Sequence, residues 1–392
     1  MDFAFPSEAM PATATFWIAF LLLLHTYIGY PLLIGILSRL KDSSPPEPGA
    51  PPTVSVVLAA RNEQDRIVAR LENLLQSAYP ADKLSVILVS DGSTDLSARH
   101  LAELNASRVR LIDRENRSGK PACLNVGIAA ADSQIIVFAD ARQRFEPETI
   151  PNLVRHFADP KVGAVSGALF IESSNSAVGG GVDAYWKLER FIRSAEARWD
   201  SCIGCTGAVY AIRRELYETI PEDTLIDDVE IPMRVASKGY RVLYDFEARA
   251  HDSQTLEPAK EKTRKQRTLA GNYQMFFRHP GWLFPWNNRL WFQLISHKYS
   301  RLASPFLLIA LLAANVILAN EPLYAALLWI HGSFYGFALI GALLPSLRGR
   351  LFSIPSGFLF LNLMSLRGLI YYLVTDPRAG WESSREKTDS TA

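Results

Sequence analysis

From Phe16 to Leu37 the chain runs 22 residues without a formal charge. A helix of that length, at 1.5 Å per residue, crosses a hydrocarbon layer of about 30 Å. A removable secretory leader would carry cations before a shorter apolar run. Here Asp2 and Glu8 precede the run, and Arg39 and Lys41 follow it. The pattern predicts an uncleaved N-terminal transmembrane helix over 14–38 with its N-terminus outside the cytoplasm. Three more candidates, Leu302–Asn320, Leu323–Leu344 and Ile354–Val374, fill 301–375. Arg367 interrupts the last and is expected to face protein or water. Lys298, Arg301, Arg348 and Arg350 flank the candidates on one side, and the turn at Glu321–Pro322 has no cation. This asymmetry predicts a cytoplasmic central domain at the inner membrane. The polar tail, 376–392, has mixed charge and adds little.

Between the apolar ends lies a soluble mixture. The prolines of "SPPEPGAPP" (44–52) make 39–52 a proline-rich linker. From 53 to about 275, apolar runs alternate with amphipathic stretches. Thr53–Ala60, Leu84–Val89, Val109–Ile112, Ile135–Ala139 and Val162–Ser166 read as strands. Gln64–Gln76, Asp95–Leu104, Pro121–Ala131 and Pro147–Phe157 read as helices. The alternation predicts an α/β domain with a mostly parallel, Rossmann-like sheet. After it, 276–300 mixes Trp282, Trp286 and Trp291 with Arg289, His297 and Lys298, as suits a membrane-interface helix; a core helix of the soluble domain is the alternative. A net charge of +1 gives no field to recruit nucleic acid. Three cysteines are too few for a disulfide framework, and Cys202–Cys205 lacks a second pair for zinc.

Open parallel sheets bind ligands at the carboxyl ends of their strands. Four consecutive strand ends are polar here: "ARNE" (60–63), "SDGSTD" (90–95), "RENRSGKPACLN" (114–125) and "DAR" (140–142). Each alone reads equally as a turn or helix cap. Together they place Glu63, Asp91, Lys120 and Asp140 on one edge.

The ordered set "VSVVLAARNE", "VLVSDGSTD", "GKPACLNVG", "VFADA", "GCTGAVYAIRR" and "DDVEIPMRVASKGYRV" resembles the membrane-bound inverting glycosyltransferases of family 2. That group contains cellulose, chitin, hyaluronan and poly-N-acetylglucosamine synthases. The likeness runs from about Val54 to Asn272. It implies a GT-A fold, a UDP-sugar donor and a divalent cation, Mg²⁺ or Mn²⁺. By the resemblance, Ala60, Glu63 and Asp91 line the nucleoside, Lys120 lies near base or diphosphate, and Asp140 contacts donor and metal. Asp227–Asp228 matches the family's acidic pair, with Asp228 the general base that takes the acceptor proton; a helix N-cap is the plain alternative. Gly204, Thr206 and Gly207 belong to the acceptor-side loop. Arg264 and Arg267 fit the spacing of the basic motif and suit a diphosphate; an ordinary basic helix at the membrane is the alternative.

Two departures stand out. Arg142 occupies the position of the family's second metal-binding acid. Either the metal is completed by diphosphate oxygens and recruited only with the nucleotide sugar, with His251 a speculative extra ligand, or Arg142 itself meets the donor phosphates or Asp140. Thr268 stands where polymerising members carry tryptophan, so a stacking platform for a growing chain is missing. The reading is therefore sugar transfer to a lipid-linked or membrane-presented glycan. Its rivals are a processive polysaccharide synthase and a catalytically inactive membrane scaffold or transporter.

Overall fold

The computed structural model describes residues 9–41, 49–95, 107–171, 179–252, 258–344 and 349–375. Most of the linker, the body of the helix expected over Asp95–Leu104, Arg348 and the polar tail lie outside them. The strands are β1 (Val54–Ala60), β2 (Leu84–Asp91), β3 (Val109–Arg114), β4 (Ile135–Asp140), β5 (Arg144–Phe145), β6 (Val162–Ile171), β7 (Val209–Arg213) and β8 (Arg241–Asp252). They form one sheet of order β3-β2-β1-β4-β7-β6-β8-β5. The helices used below are α1 (Met10–Arg39), α2 (Gln64–Leu75), α3 (Lys120–Ala129), α4 (Thr149–Arg155), α5 (Gly179–Trp199), α6 (Asp227–Ser237), α7 (Pro258–Arg278), α8 (Trp291–Ile317), α9 (Pro322–Leu343) and α10 (Arg350–Val374).

The β1 sequence VSVVLAA does not alternate because both of its faces are covered. Val57, Ile87 and Phe138 enter one core with Cys123 and Leu124 of α3. Val56, Leu58 and Val137 enter the other, with Ile67, Leu71 and Leu74 of α2. Strands β3, β2, β1 and β4 are parallel, and their register sets Asp91 opposite Arg114 and Asp140 opposite Ala59. The four polar strand ends thus share one edge, as the sequence predicts. Beyond β4 the sheet changes character: β7 runs antiparallel to β4 and β6, and β6 is parallel to β8. Phe138 and Tyr210 stack across the antiparallel join with ring centroids 4.0 Å apart.

Among the described residues four helices, α1, α8, α9 and α10, are long and apolar enough to cross a membrane. Phe16, Ala19 and Leu23 of α1 pack with Leu311 and Ala314 of α8. Side chains such as Ile36, Ile309, Trp329 and Ile330 stay exposed, as lipid-facing residues would be. The second span starts earlier than the sequence suggests. Residues 276–300 divide into a short 3-10 turn, Pro280–Leu283, and the start of α8 at Trp291. Charges can enter that helix because they are answered: Glu189 of α5 lies 3.0 Å from Lys298 Nζ and 2.7 Å from Arg301 Nη1. Both α1 and α8 contain a π turn, His25–Gly29 and Leu294–Tyr299, and His25 Nε2 meets Ser296 Oγ at 3.1 Å between them.

Helix α7 packs directly against the membrane helices. A Cβ on Gly368 of α10 would come within 2.7 Å of Leu269 Cβ, so the two helices touch backbone to side chain. This contact holds Arg264 and Arg267 beside the membrane layer.

Candidate active site

The first acid comes from the sheet. Asp140 ends β4, and the Arg70 side chain of α2 donates to its carbonyl at 3.0 Å. Arg70 interrupts an apolar stripe of Ile67, Leu71 and Leu74. It is 3% exposed, with its guanidinium 4.3 Å from the Phe145 ring. Burial lowers its pKa to about 9, against the pull of Asp140. A cation at a core position of a helical stripe was the sequence signal for this residue, and motif reading passes over it.

Lys120 opens α3 and points at the acids. Its Nζ lies 3.0 Å from Asp140 Oδ1 and 3.4 Å from Asp227 Oδ2. Burial opposes its charge, but Asp140, Asp227 and Asp228 outweigh burial and raise its pKa. Asp227 and Asp228 form the first turn of α6, whose N-cap position is Ile226, without a side-chain cap. They are therefore not the capping residues of that helix; they stand in its positive N-terminal field. Even so, burial first and Asp227 second push the Asp228 carboxyl up to about 6, while Lys120 and Arg193 oppose the rise. A carboxylate tuned near neutrality is what a general base requires. Arg267 feels Asp227, Asp140 and Asp228, and Arg264 lies close enough to repel it.

Pro232 sits inside α6. A helical proline has no N–H to give to the carbonyl four residues earlier, which is that of Asp228. The Cys205 N–H takes that place, donating to Asp228 O at 2.6 Å. The Gly207 N–H donates to Asp228 Oδ2 at 3.1 Å. Gly204 has φ +75°, and a Cβ on Gly207 would meet Asp228 Oδ2 at 2.9 Å. Both glycines are needed for the loop to close on the acid. Gly204, Thr206, Gly207, Asp227 and Asp228 therefore form one unit.

At the first strand end, Ala60 ends β1 and Glu63 is buried beside Arg66, at 3.1 Å. Asp91 accepts the N–H groups of Ser118 and Gly119 at 2.7 and 2.9 Å, shaping the loop that leads into Lys120. Asn62, in the left-handed region at φ 51°, accepts the Thr94 N–H at 2.9 Å and stitches the first two strand-end loops together. Sequence reading did not single out Asn62.

Arg142 is engaged by an acid that no motif contains. Its Nη2 lies 2.7 Å from Oδ2 of Asp252, a buried residue at the end of β8, and Gln143 donates to the same oxygen at 3.1 Å. His251 meets Glu146 at 2.7 Å. Among the described residues no group of three or more His, Cys, Asp or Glu side chains could hold a metal ion. Asp140 is the acid of the "DAR" motif that remains for one. That suits Mg²⁺ or Mn²⁺ bound through one carboxylate and completed by substrate phosphates.

A parallel-to-antiparallel α/β sheet with acids and a lysine at one edge, joined to apolar helices, is the arrangement expected of a GT-A fold. The chain matches the family described as "Glycosyl transferase family 2" over residues 55–220. It is 26% identical over 213 residues to "Probable glycosyltransferase YdaM" of Bacillus subtilis (strain 168), covering 49% of each chain. It is 24% identical over 198 residues to "Poly-beta-1,6-N-acetyl-D-glucosamine synthase" of Staphylococcus aureus (strain MSSA476), covering 49% of this chain and 48% of the relative. The chain thus spans about half the length of these two curated relatives. With "Beta-monoglucosyldiacylglycerol synthase" of Trichormus variabilis the identity is 22% over 378 residues, 90% of this chain and 78% of the relative. Among solved structures, the mannosyltransferase PcManGT from Pyrobaculum calidifontis, in complex with GDP-Man and Mn²⁺, superposes with a TM-score of 0.70. That match has 24% identity and covers 92% of this chain and 99% of the other; it establishes the fold.

Proposed function

We propose that the protein is an inverting hexosyltransferase of the inner membrane that moves a sugar from a UDP-sugar, on the cytoplasmic side, to a lipid-linked or membrane-presented glycan. The observation that carries this reading is Asp228. Its carboxylate is fixed by Gly207 N–H, is pushed up to about 6 by burial and by Asp227, and faces the Lys120–Asp140–Asp227 cluster. In the reaction, the acceptor oxygen forms a bond to the anomeric carbon as the bond to the diphosphate breaks. The acceptor's proton goes to Asp228, and the diphosphate leaves with the electron pair. Ala60, Glu63 and Asp91 hold the nucleoside. Lys120, Arg264 and Arg267 offset the charge on the departing diphosphate. Asp140 would hold a divalent cation, which supplies further neutralisation of that diphosphate when bound. Arg142 is paired with Asp252 at 2.7 Å.

The lipid-side acceptor is supported by the alignment that runs through the membrane helices. That alignment is with a glycolipid synthase and spans 90% of this chain, whereas the polymer-synthase alignment spans 49%. Thr268 is exposed and donates to the Arg264 carbonyl at 3.0 Å, so no aromatic platform stands there. The test is nucleoside diphosphate release by the purified protein in nanodiscs. It uses a panel of UDP-sugars, with GDP-mannose as a control, with and without lipid extract. Release of UDP that requires lipid, with one or a few sugars added per acceptor by mass spectrometry, is the expected result. A ladder of long homopolymer would favour the processive synthase, and no release from any donor would favour the inactive scaffold.

A further inference from the structure

One face of α5 carries three ionic residues, Glu189, Arg193 and Glu196, spaced four and three apart. Such spacing puts them in one line along a helix. The outer two turn to the membrane helices. Glu189 meets His297 Nε2, Lys298 and Arg301 at 3.0, 3.0 and 2.7 Å. Glu196 meets His297 Nδ1 at 2.9 Å and accepts from the Tyr30 hydroxyl at 2.5 Å. The middle residue turns to the candidate active site. Arg193 Nη1 donates to Thr206 Oγ1 at 3.0 Å; its Nη2 donates to Ser166 Oγ at 3.0 Å and to the Gly204 carbonyl at 3.2 Å.

Among the described residues no carboxylate pairs with Arg193, and its shielded Nε has no hydrogen-bond partner. The guanidinium is held by neutral oxygens and by the face of the Tyr244 ring, 5.2 Å from its centroid, and keeping it out of water there has a cost. What it organises is specific. Ser166 Oγ, held by Arg193, accepts the Thr206 N–H at 2.9 Å, and Thr206 Oγ1 donates to Gly167 O at 2.8 Å. The next residue is Gly207, whose N–H holds the Asp228 carboxylate.

We propose that Arg193 is a positioning residue for Asp228, acting through Ser166, Thr206 and the Gly204–Gly207 loop, and that the flanking glutamates lock it to the membrane helices. This rests on the reading of Asp228 as the base. Arg193 has two separable effects. Its hydrogen bonds set where the Gly207 N–H points, and its charge favours the ionised form of Asp228. Lysine at 193 keeps the charge but not the fork; glutamine keeps some hydrogen bonding and loses the charge.

The experiment compares Arg193→Lys, Arg193→Gln and Thr206→Val with wild type, all full length in nanodiscs. Hydrogen exchange across 204–209, which needs no substrate, should speed up in all three. With the donor found active in the release screen, Arg193→Gln should lower kcat by on the order of 10²-fold. Its donor KM should stay within about twofold of wild type, because the nucleoside contacts are untouched. Its acid limb should move to higher pH, whereas Arg193→Lys should lose kcat with the limb in place. Wild-type exchange together with wild-type kcat in Arg193→Gln overturns the proposal. So does a loss of kcat matched by an equal loss of donor binding and of thermal stability. If the wild type turns over no donor, the assignment of Asp228 falls first; the exchange result then decides separately whether Arg193 tethers the loop.

Discussion

Two clusters of ionisable side chains are joined by the ionic face of α5, and they are built on opposite rules. At the membrane boundary, Glu189 has three basic partners within 3.0 Å, and they hold its carboxyl well below the usual range despite burial. At the sheet edge, Asp140 and Asp227 share Lys120, and Asp228 rises to about 6. The first cluster satisfies its acid beyond need and so fixes a geometry. The second gives Asp228 no directly paired cation among the described residues, and its burial beside Asp227 keeps it able to exchange a proton. Similar side chains thus serve rigidity in one place and chemistry in the other, and direct ion pairing of the acid decides which.

The comparison breaks most visibly at Asp228. Asp228→Asn keeps the shape of the side chain and removes the proton acceptor. Transfer should fall by roughly 10²–10⁴-fold, while UDP binding, measured by calorimetry, stays close to wild type. Wild-type turnover in the folded variant would remove Asp228 from the mechanism. At the other cluster, Glu189→Gln leaves Lys298, Arg301 and His297 facing an amide. Breaking a buried ion pair from one side costs about 3–5 kcal/mol. A clear drop in thermal stability in nanodiscs is expected, with a loss of turnover per folded molecule much smaller than in Asp228→Asn. An unchanged melting curve would make the boundary cluster dispensable.

The pH profile sharpens the contrast. Asp228 has to be ionised to accept a proton, so kcat should rise with pH up to about 6 and level off above. Below that point the loss should approach about tenfold per pH unit. Glu189, held low, should contribute no step in the same window. A profile flat from pH 5 to 8 would contradict the tuning of Asp228. The smallest effect concerns the arginine of the "DAR" motif. Asp140→Ala should impair transfer far more than Arg142→Ala. Calorimetric titration of Mn²⁺ should show binding only with UDP present, and Arg142→Asp should bring measurable binding without nucleotide. Tight metal binding by the nucleotide-free wild type, unaltered in Arg142→Asp, would reverse that assignment.

The parallel half of the domain was legible because period and chemistry agree there. VSVVLAA and IIVFAD are continuous apolar runs that end in polar loops, and a parallel sheet aligns those ends without further information. The antiparallel half was less so. β5, at the sheet edge, is two residues long, and its neighbour β8 mixes charged and apolar residues. Helix α5 went unread: seven residues from its start, Trp186-Lys-Leu-Glu-Arg-Phe-Ile-Arg mixes charge and hydrophobe because its buried face is partly ionic. Within the site, the motif residues Lys120, Asp140, Asp227 and Asp228 do converge. The residues that hold them do not announce themselves. Arg193 looks like any exposed helical arginine, and the acid that answers Arg142 lies 110 residues away in sequence. Such partners are set by strand register, which local pattern cannot supply.

Pro232 has a consequence for how this chain can change by mutation. Because the proline leaves the Asp228 carbonyl to Cys205, the loop and the helix complete each other's hydrogen bonding. Replacing Pro232 with any residue that has an N–H offers the helix its own missing bond, in direct competition with the loop. A substitution that looks like the repair of a helix would therefore weaken the hold on its first turn. Helix propensity and the placing of the acid are opposed at this position, so a variant chosen for a smoother helix is expected to be steadier in α6 and less well set at Asp228.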